Sequence, residues 1–170
     1  MVQLKSVPER GQMGEPENSP IFQGWLGLSL LITTLYAFLS IRQGFQAEFV
    51  IQDDARQHVF WMQHWLDPTL FPNDGMVRYF ESVAPTGYAW LYRLMVSLGI
   101  PPLQFNKLVP IGLSVITTYY SYRVSLKLLP TPIAAFCSSL LLSQTLWERD
   151  DLISGTARAF VYPIFAAFLY

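Results

Sequence analysis

The sequence predicts an all-α, polytopic integral membrane protein that crosses the bilayer several times as a helical bundle. Two observations support this prediction. Charged residues make up only 14% of the 170-residue chain, whereas ordinary globular domains carry about 25%. Hydrophobic residues make up 52% of the chain, and they are gathered into long uncharged runs rather than spread evenly. Runs of this kind are typical of helices that cross a membrane.

The uncharged runs set the predicted order of elements. Residues 1–20 are polar and rich in proline and glycine, which predicts a flexible tail. Residues 21–41 carry no charge and have the length of about 20 residues that a spanning helix needs. Later runs predict two more spans, over about 106–125 and 128–147, and a fourth that begins within 159–170. Because this last span would be cut short, we expect the 170 residues to be the N-terminal part of a longer protein, inactive alone.

The loop between the first two spans is predicted to hold two amphipathic surface helices. In the first, over about 53–66, apolar residues recur at the spacing of one buried helical stripe: Ala55, Val59, Met62 and Leu66. A breaker-rich segment with the turn sequence Asn73-Asp74-Gly75 follows. The second helix, over about 86–98, is bounded by prolines and is too short to cross a bilayer. We therefore expect it to lie at the membrane surface, among headgroups.

Charge and cysteine content exclude some functions and leave the orientation open. The formal net charge is −1, without a basic patch, so nucleic acid is not an expected partner. The one cysteine, Cys137, excludes an intrachain disulfide and a cysteine metal cluster. The lysine and arginine distribution does not decide which side of the membrane each loop faces. If residues 86–98 do not cross, the two acidic loops emerge on the same side.

Two adjacent carboxylates, Asp53 and Asp54, open the first surface helix. Asp53 stands at the expected N-cap position, and both lie near the positive end of the helix dipole. Asp54 and His58 are one turn apart and share a face. A carboxylate at a water-poor interface has a raised proton affinity, which suits a general base. Spacing alone explains Asp53 as well by helix capping as by catalysis, and the two roles are compatible.

The order of these motifs resembles the N-terminal part of the GT-C superfamily of membrane glycosyltransferases, which includes protein O-mannosyltransferases and aminoarabinose transferases. The start Asp53-Asp54-Ala55-Arg56 is similar to the acidic pattern that opens their first extracytoplasmic loop. Residues 72–75 and 85–91 resemble their asparagine-glycine turn and aromatic surface helix, and 154–158 resembles the start of the segment with their second acidic loop. The resemblance covers about residues 21–170. It departs from the family at Asp150-Asp151, where metal-dependent members have a spaced Asp-x-Asp.

The resemblance implies transfer of a sugar from a polyprenyl-phosphate donor to an acceptor at the extracytoplasmic face of the plasma (inner) membrane. It implies that Asp53, or else Asp54, is the base and that Asp150 and Asp151 bind a divalent cation, Mg²⁺ or Mn²⁺. The expected partners are membrane lipid, the lipid-linked sugar and an unspecified acceptor. An arginine would stabilise the leaving phosphate, and aromatic rings would stack on the sugar or line a lipid groove. The candidate substrate-binding residues are Arg56, His58, Trp61, Arg78 and Tyr88, with Arg93 as a further arginine.

Simpler interpretations stand beside these. Trp61 could belong to an interfacial aromatic belt, Arg78 could pair with Glu81, and Asp150-Asp151 could be a solvated loop. The competing class of function is a non-catalytic membrane protein, a transporter or scaffold whose acidic loop binds an ion or a partner. Transporters tend to place ionisable residues inside their spans. Here the charges cluster in the loops, which favours a site at the membrane surface.

Overall fold

The computed structural model describes residues 19–47 and 49–170, and the regular structure in these residues is entirely helical. This confirms the all-α class. Of the predicted tail over 1–20, residues 1–18 lie outside the described residues. Seven α-helices are described: α1 Pro20–Ile41, α2 Asp53–Val59, α3 Gly75–Val83, α4 Thr86–Ser97, α5 Pro102–Leu128, α6 Pro132–Glu148 and α7 Val161–Leu169. Three 3-10 turns accompany them, at Arg42–Phe45, Phe60–Trp65 and Ala157–Phe160.

Helices α1, α5, α6 and α7 form a bundle with α5 at its centre, in contact with the other three. Proline occupies the first turn of α1, α5 and α6, where its missing N–H costs nothing and its fixed φ favours the helix. The Tyr122 hydroxyl near the end of α5 donates to the Phe22 carbonyl near the start of α1, at 2.9 Å. Helices α1 and α5 are therefore antiparallel, and the short connection 129–131 returns α6 antiparallel to α5.

Helices α2, α3 and α4 and the 3-10 turn Phe60–Trp65 form a cap over one end of the bundle. Apolar side chains from the cap meet others from α5, α6 and the segment after α6 in one buried core, which includes Val59, Trp61, Met62, Tyr92, Leu103, Leu113, Leu146 and Leu152. Residues 149–157, between α6 and the last 3-10 turn, lie against the same end. The two acidic loops are thus at the same end of the bundle, as predicted.

The predicted surface helix over 53–66 is wrong beyond residue 59. The α-helix ends at Val59 and continues as the 3-10 turn Phe60–Trp65. The Trp61 indole N–H donates to the His58 carbonyl at 2.9 Å, which competes with the α-helical bonding of that carbonyl. Because a 3-10 turn advances about 120° per residue rather than 100°, Leu66 leaves the buried stripe and is 47% exposed. Ala55, Val59 and Met62 are buried, as predicted.

Helix α3 was not predicted, because only a turn was recognised in Asn73-Asp74-Gly75. The turn exists, with Phe71 and Asn73 at φ 58° and 60°. Asp74 then acts as an N-cap, since its Oδ1 accepts from the backbone N–H groups of Met76 and Val77 at 2.7 and 3.3 Å. The cap of α2 also differs from the prediction: Gln52, not Asp53, is the N-cap, and its Oε1 accepts from the Ala55 N–H at 3.3 Å.

The predicted limits of the later elements need smaller corrections. The span predicted over 106–125 is α5, which extends to Pro102–Leu128 because the proline pair before it starts the helix. The span predicted over 128–147 is α6, which starts four residues later because Pro130 interrupts the chain between the two helices. The segment 159–170 begins in a 3-10 turn and becomes α7. The helix predicted over 86–98 is α4, with nearly the predicted bounds, and its place at the membrane surface stays a prediction.

Within the described residues, one helical stretch is long and apolar enough to cross a membrane, α1 with the turn that follows it, residues 20–45. Helix α6 has 17 residues, and α7 has nine. At about 1.5 Å per residue, α6 measures roughly 25 Å, less than the roughly 30 Å hydrocarbon core of a bilayer. Helix α5 has 27 residues, but many of them are hydroxyl-bearing. Four spans are therefore not evident from helix length and composition alone.

Small hydroxyl side chains lie inside the bundle, beside an apolar cluster of Leu26, Tyr122, Leu126 and Ala135, and large apolar side chains also face outward. Thr33 of α1 bonds Thr118 of α5 at 3.1 Å, and the Ser139 hydroxyl of α6 donates to Ser29 of α1 at 3.3 Å. All four of these residues are buried. The outer surface exposes many large apolar side chains, among them Leu31, Leu35, Phe38, Leu39, Ile133, Leu141, Ile164, Phe165 and Phe168.

Candidate functional site

A cavity of about 270 Å³ lies where the cap meets the segment after α6. Asp54 and His58 reach it from one face of α2, as their spacing of one helical turn predicted. The junction of α3 and α4 forms a second wall, and the start of the last 3-10 turn forms a third. The lining residues are Asp54, His58, Val83, Ala84, Pro85, Tyr88, Thr156, Ala157 and Arg158. A carboxylate, an imidazole and a guanidinium thus meet in one space.

Arg158 connects the two acidic loops across this cavity. Its Nη2 lies 3.3 Å from Asp54 Oδ2 and donates a hydrogen bond to it, and its Nε lies 3.9 Å from Asp151 Oδ1. The Asp54 and Arg158 side chains are 45% and 58% exposed, and Asp151 is 19% exposed. Pairs this accessible contribute about 0–1 kcal/mol each to stability. The two carboxylates therefore position the guanidinium but hold it only weakly.

A buried polar network holds the loop before Arg158 in place. Asn106 of α5 donates through Nδ2 to the Tyr92 hydroxyl and to the Ser154 carbonyl, both at 3.0 Å. The hydroxyls of Tyr88 and Tyr92 each donate to the Gly155 carbonyl at 3.4 Å. These contacts tie α4, α5 and the loop together, so the network fixes the place from which Arg158 enters the cavity.

Both tyrosines of the network are hydrogen-bond donors at neutral pH. Burial raises the pKa of Tyr92 to about 12, although its contacts with Tyr88 and Asn106 act in the opposite direction. Burial also raises the pKa of Tyr88 far above its ordinary value, and the neighbouring Tyr92 adds to that shift. Ionising either phenol would place an uncompensated charge in the core. Their role is therefore to donate to the loop, and neither is suited to act as a base.

Gly155 makes the close approach between this loop and α5 possible. Its φ is +58°, a left-handed conformation that L side chains rarely adopt. A Cβ at this position would lie 2.9 Å from Asn106 Nδ2 and 3.1 Å from the Asn106 carbonyl oxygen. Glycine is thus required at this position for two reasons: the left-handed backbone conformation and the lack of room for a Cβ.

We expect Gly155→Ala to lower the free energy of unfolding by at least about 2 kcal/mol, because left-handed strain and the contact with Asn106 add together. The matched control is Gly99→Ala, since Gly99 has φ +82° but a Cβ added there would meet no atom within 4 Å. That variant should lose only about 1 kcal/mol, the conformational cost alone. Thermal unfolding in detergent measures both. Equal losses would show that the approach of Gly155 to Asn106 does not matter for stability.

Asp53 lies next to the cavity-lining Asp54 in sequence but does not line the cavity. Its side chain is 81% exposed, and its Oδ1 is 4.0 Å from Arg56 Nη1. Arg56 is accordingly outside the cavity as well. The two adjacent carboxylates therefore have different surroundings: Asp54 is bonded to Arg158 across the cavity, and Asp53 is open to solvent.

Trp61 and Arg78 are also not part of the cavity lining. Trp61 is a core residue, 2% exposed, with its ring edge-on to Trp65 at 5.1 Å between centroids, so it cannot stack on a sugar in this arrangement. Glu81 pairs with Arg93 at 3.8 Å rather than with Arg78. The Arg93 guanidinium also lies over the Trp65 ring, 4.9 Å from its centroid. Of the predicted substrate-binding residues, His58 and Tyr88 line the cavity.

The predicted cation ligands Asp150 and Asp151 point to different surroundings. Asp150 is exposed on a turn with φ +57°, whereas Asp151 faces Arg158. In residues 19–47 and 49–170, no three histidine, cysteine, aspartate or glutamate side chains come together as a metal-binding group. With an arginine already facing Asp151, these residues do not form an evident cation site, and we assign no chemical step to a metal. The divalent cation stays a prediction.

A second cavity, of about 210 Å³, lies between the end of α1 and the start of α5. Its walls are largely apolar, and its lining includes the buried Lys107. The Lys107 ammonium donates to the Ala47 carbonyl at 2.8 Å and lies 5.8 Å from the centre of the Phe45 ring. This lysine thus ties the chain after α1 to α5. The cavity with Asp54, His58 and Arg158 is the better candidate site because it brings together groups of complementary chemistry.

Sequence reasoning missed Arg158 and Asn106. Arg158 is 104 residues from its partner Asp54, and Asn106 is 48 residues from Ser154. Comparison of the chain with protein-family models, with curated proteins and with solved structures finds no match. The glycosyltransferase resemblance therefore remains a prediction from the motifs in the sequence.

Proposed function

We propose that this chain is part of a polytopic membrane glycosyltransferase of the GT-C type, working at the extracytoplasmic face of the plasma (inner) membrane. The observation that carries the proposal is the meeting of Asp54, His58 and Arg158 in one cavity at the end of an apolar bundle. The sequence motifs that resemble the family supply the two loops that form this cavity. A donor with a lipid tail in the bilayer and a phosphate at its surface suits such a location.

The surface of the bundle supports a membrane location for α5, α6 and α7 as well as α1. Large apolar side chains face outward, while threonine and serine hydroxyls bond between helices inside. Small hydroxyl residues at helix contacts are a feature of helix packing in lipid, where burying apolar surface between helices brings no gain. The interior hydroxyls lower the mean hydropathy of α5 and α6.

The proposed reaction is transfer of a sugar from a polyprenyl phosphate to an acceptor hydroxyl, with inversion. The hydroxyl oxygen forms a bond to the anomeric carbon as the bond from that carbon to the phosphate oxygen breaks. Asp53 takes the hydroxyl proton as general base: it lies outside the cavity lining, next in sequence to Asp54, and is open to an acceptor that approaches from solvent. The electron pair of the broken bond stays on the phosphate, and the Arg158 guanidinium offsets the charge that develops there.

The topology can be tested by thiol labelling in a Cys137→Ser background. Gln57→Cys and Glu148→Cys introduce thiols at exposed positions at the cavity end of the bundle, and Thr131→Cys introduces one at the exposed opposite end. In intact cells, an impermeant thiol reagent should label the first two variants and not the third. Thr131→Cys should be labelled only after permeabilisation. Labelling of Gln57→Cys without Glu148→Cys, or of all three, would contradict the proposed topology.

A non-catalytic transporter or scaffold remains the alternative class. In that case the acidic loop would bind a cation or a partner through free carboxylates. The pairing of Asp54 and Asp151 with Arg158 favours the enzyme, because a guanidinium between two carboxylates opposes cation binding there. Transfer of a radiolabelled sugar from a polyprenyl-phosphate donor, measured with the protein expressed from its complete gene, separates the two classes.

A further inference from the structure

The ion pairs of Arg158 have a geometry that allows one partner to be exchanged. The contact with Asp54 is a single hydrogen bond at 3.3 Å, and the contact with Asp151 is longer, at 3.9 Å. A guanidinium has five N–H donors and binds a carboxylate or a phosphate best through two parallel bonds. Neither aspartate forms such a fork. An oxyanion that enters the cavity can therefore offer Arg158 a better arrangement than Asp54 does.

The two carboxylates are not equivalent as partners. Asp151 is only 19% exposed and belongs to the loop that the Asn106 network holds. Asp54 is 45% exposed and lies on α2, whose other cavity-lining residue is His58. An incoming phosphate meets Asp54 as a like charge at the cavity surface, while Asp151 stays behind the guanidinium. Asp54 is thus the partner that a phosphate would displace.

We propose that Asp54 competes with the phosphate of the lipid donor for Arg158, so that donor binding releases Asp54 and leaves Asp151 to position the guanidinium. This inference rests on the proposed function and goes beyond it by giving the two adjacent aspartates opposite relations to the donor. Asp53 acts on the acceptor and does not affect phosphate binding. Asp54 opposes phosphate binding and holds Arg158 in place while the cavity is empty.

The test is a double-mutant cycle on phosphate affinity, using the same full-length protein as the transfer assay, in detergent, and farnesyl phosphate as the probe. Asp54→Asn keeps the shape of the side chain and removes the competing charge. We expect it to tighten binding about three- to fivefold, the worth of an exposed ion pair of up to about 1 kcal/mol. Arg158→Gln should weaken binding about tenfold. In the Arg158→Gln background, Asp54→Asn should change affinity little, because the guanidinium for which Asp54 and phosphate compete is absent.

Two comparisons separate this mechanism from simpler ones. Asp67→Asn removes the same charge elsewhere in the loop, and its retained oxygen can still accept from the Thr69 N–H. It should leave affinity unchanged. Inorganic phosphate should rank the variants in the same order if the phosphate group is recognised, while farnesol should show no ranking. Thermal unfolding in detergent confirms that each variant is folded.

The outcomes are distinct from those of the transfer assay. If Asp54→Asn weakens farnesyl phosphate binding or leaves it unchanged, the competition is overturned while the glycosyltransferase proposal stands. If Asp54→Asn tightens binding equally with and without Arg158, the effect is general electrostatics and the inference is again overturned. Absence of binding by the wild-type chain and all variants also overturns it. The glycosyltransferase proposal itself fails only if sugar transfer from the lipid donor is absent.

Discussion

Asp53→Asn is expected to lower sugar transfer by at least about 100-fold, the usual scale of general-base catalysis, without lowering stability. The substitution keeps the shape of the side chain and removes its ability to take a proton. Because Gln52 rather than Asp53 caps α2, the helix keeps its cap, and the 81% exposed side chain leaves no buried group unpaired. Transfer from a polyprenyl-phosphate donor is measured with the protein expressed from its complete gene, beside thermal unfolding of the same preparation.

Two further variants make the assignment of the base decisive. Asp67→Asn, in the same loop, should transfer sugar at nearly the wild-type rate. Asp54→Asn should tighten donor binding. If Asp53→Asn is stable and retains near wild-type transfer while Asp54→Asn loses it, the base is Asp54. If both variants transfer sugar normally, the acidic start of α2 is structural.

Local spacing predicted the half of the cavity that comes from α2. Asp54 and His58 are one turn apart, and a helix of any length places such residues on one face. The buried stripe of Ala55, Val59 and Met62 followed from the same period and was confirmed. The prediction failed at Leu66, where the chain changes from an α-helix to a 3-10 turn. That change depends on the Trp61 indole bond to the His58 carbonyl, which hydrophobic periodicity does not reveal.

The other half of the cavity depends on contacts between distant parts of the chain. Arg158 was visible in the sequence as the end of Ser154-Gly155-Thr156-Ala157-Arg158, but nothing local pairs it with Asp54, 104 residues earlier. Asn106 carries no charge and belongs to no motif recognised in the sequence, so it gave no signal of its own. Gly155 offered the best available clue, because a glycine beside hydroxyl residues predicts a tight turn. The partner that makes this glycine necessary, Asn106, became evident only in three dimensions.

We predicted the membrane spans from runs without charged residues. When mean hydropathy and helix length are considered as well, one of these runs, within residues 20–45, qualifies among the described residues. Helix α5 contains buried Ser114, Thr117, Thr118 and Ser121, which lower its mean hydropathy. Each such hydroxyl is polar in a hydropathy scale but can be satisfied by a helix carbonyl or a neighbouring helix, as Thr117 is by the Leu113 carbonyl at 2.7 Å. The positions of these hydroxyls, inside the bundle and hydrogen-bonded, are therefore not reflected in the mean hydropathy of α5.

We expect the largest effect on stability at Asn106, because its side-chain amide links α5 to α4 and to the loop after α6. Asn106→Leu removes the donor to the Tyr92 hydroxyl and to the Ser154 carbonyl, both buried. The Ser154 carbonyl then loses its side-chain donor, while the Tyr92 hydroxyl keeps its bond to the Gly155 carbonyl. Leaving a buried polar group without its partner costs about 1–3 kcal/mol, so we predict a loss of about 3 kcal/mol. For a chain of this size, that corresponds to a fall of roughly 6–12 °C in the thermal midpoint measured in detergent.

The matched control for Asn106→Leu is Gln104→Leu, which replaces an exposed amide on the same helix and should change the midpoint little. If Asn106→Leu unfolds at the same temperature as Gln104→Leu, another contact holds the Arg158 loop on α5, and the position of Arg158 does not depend on this network.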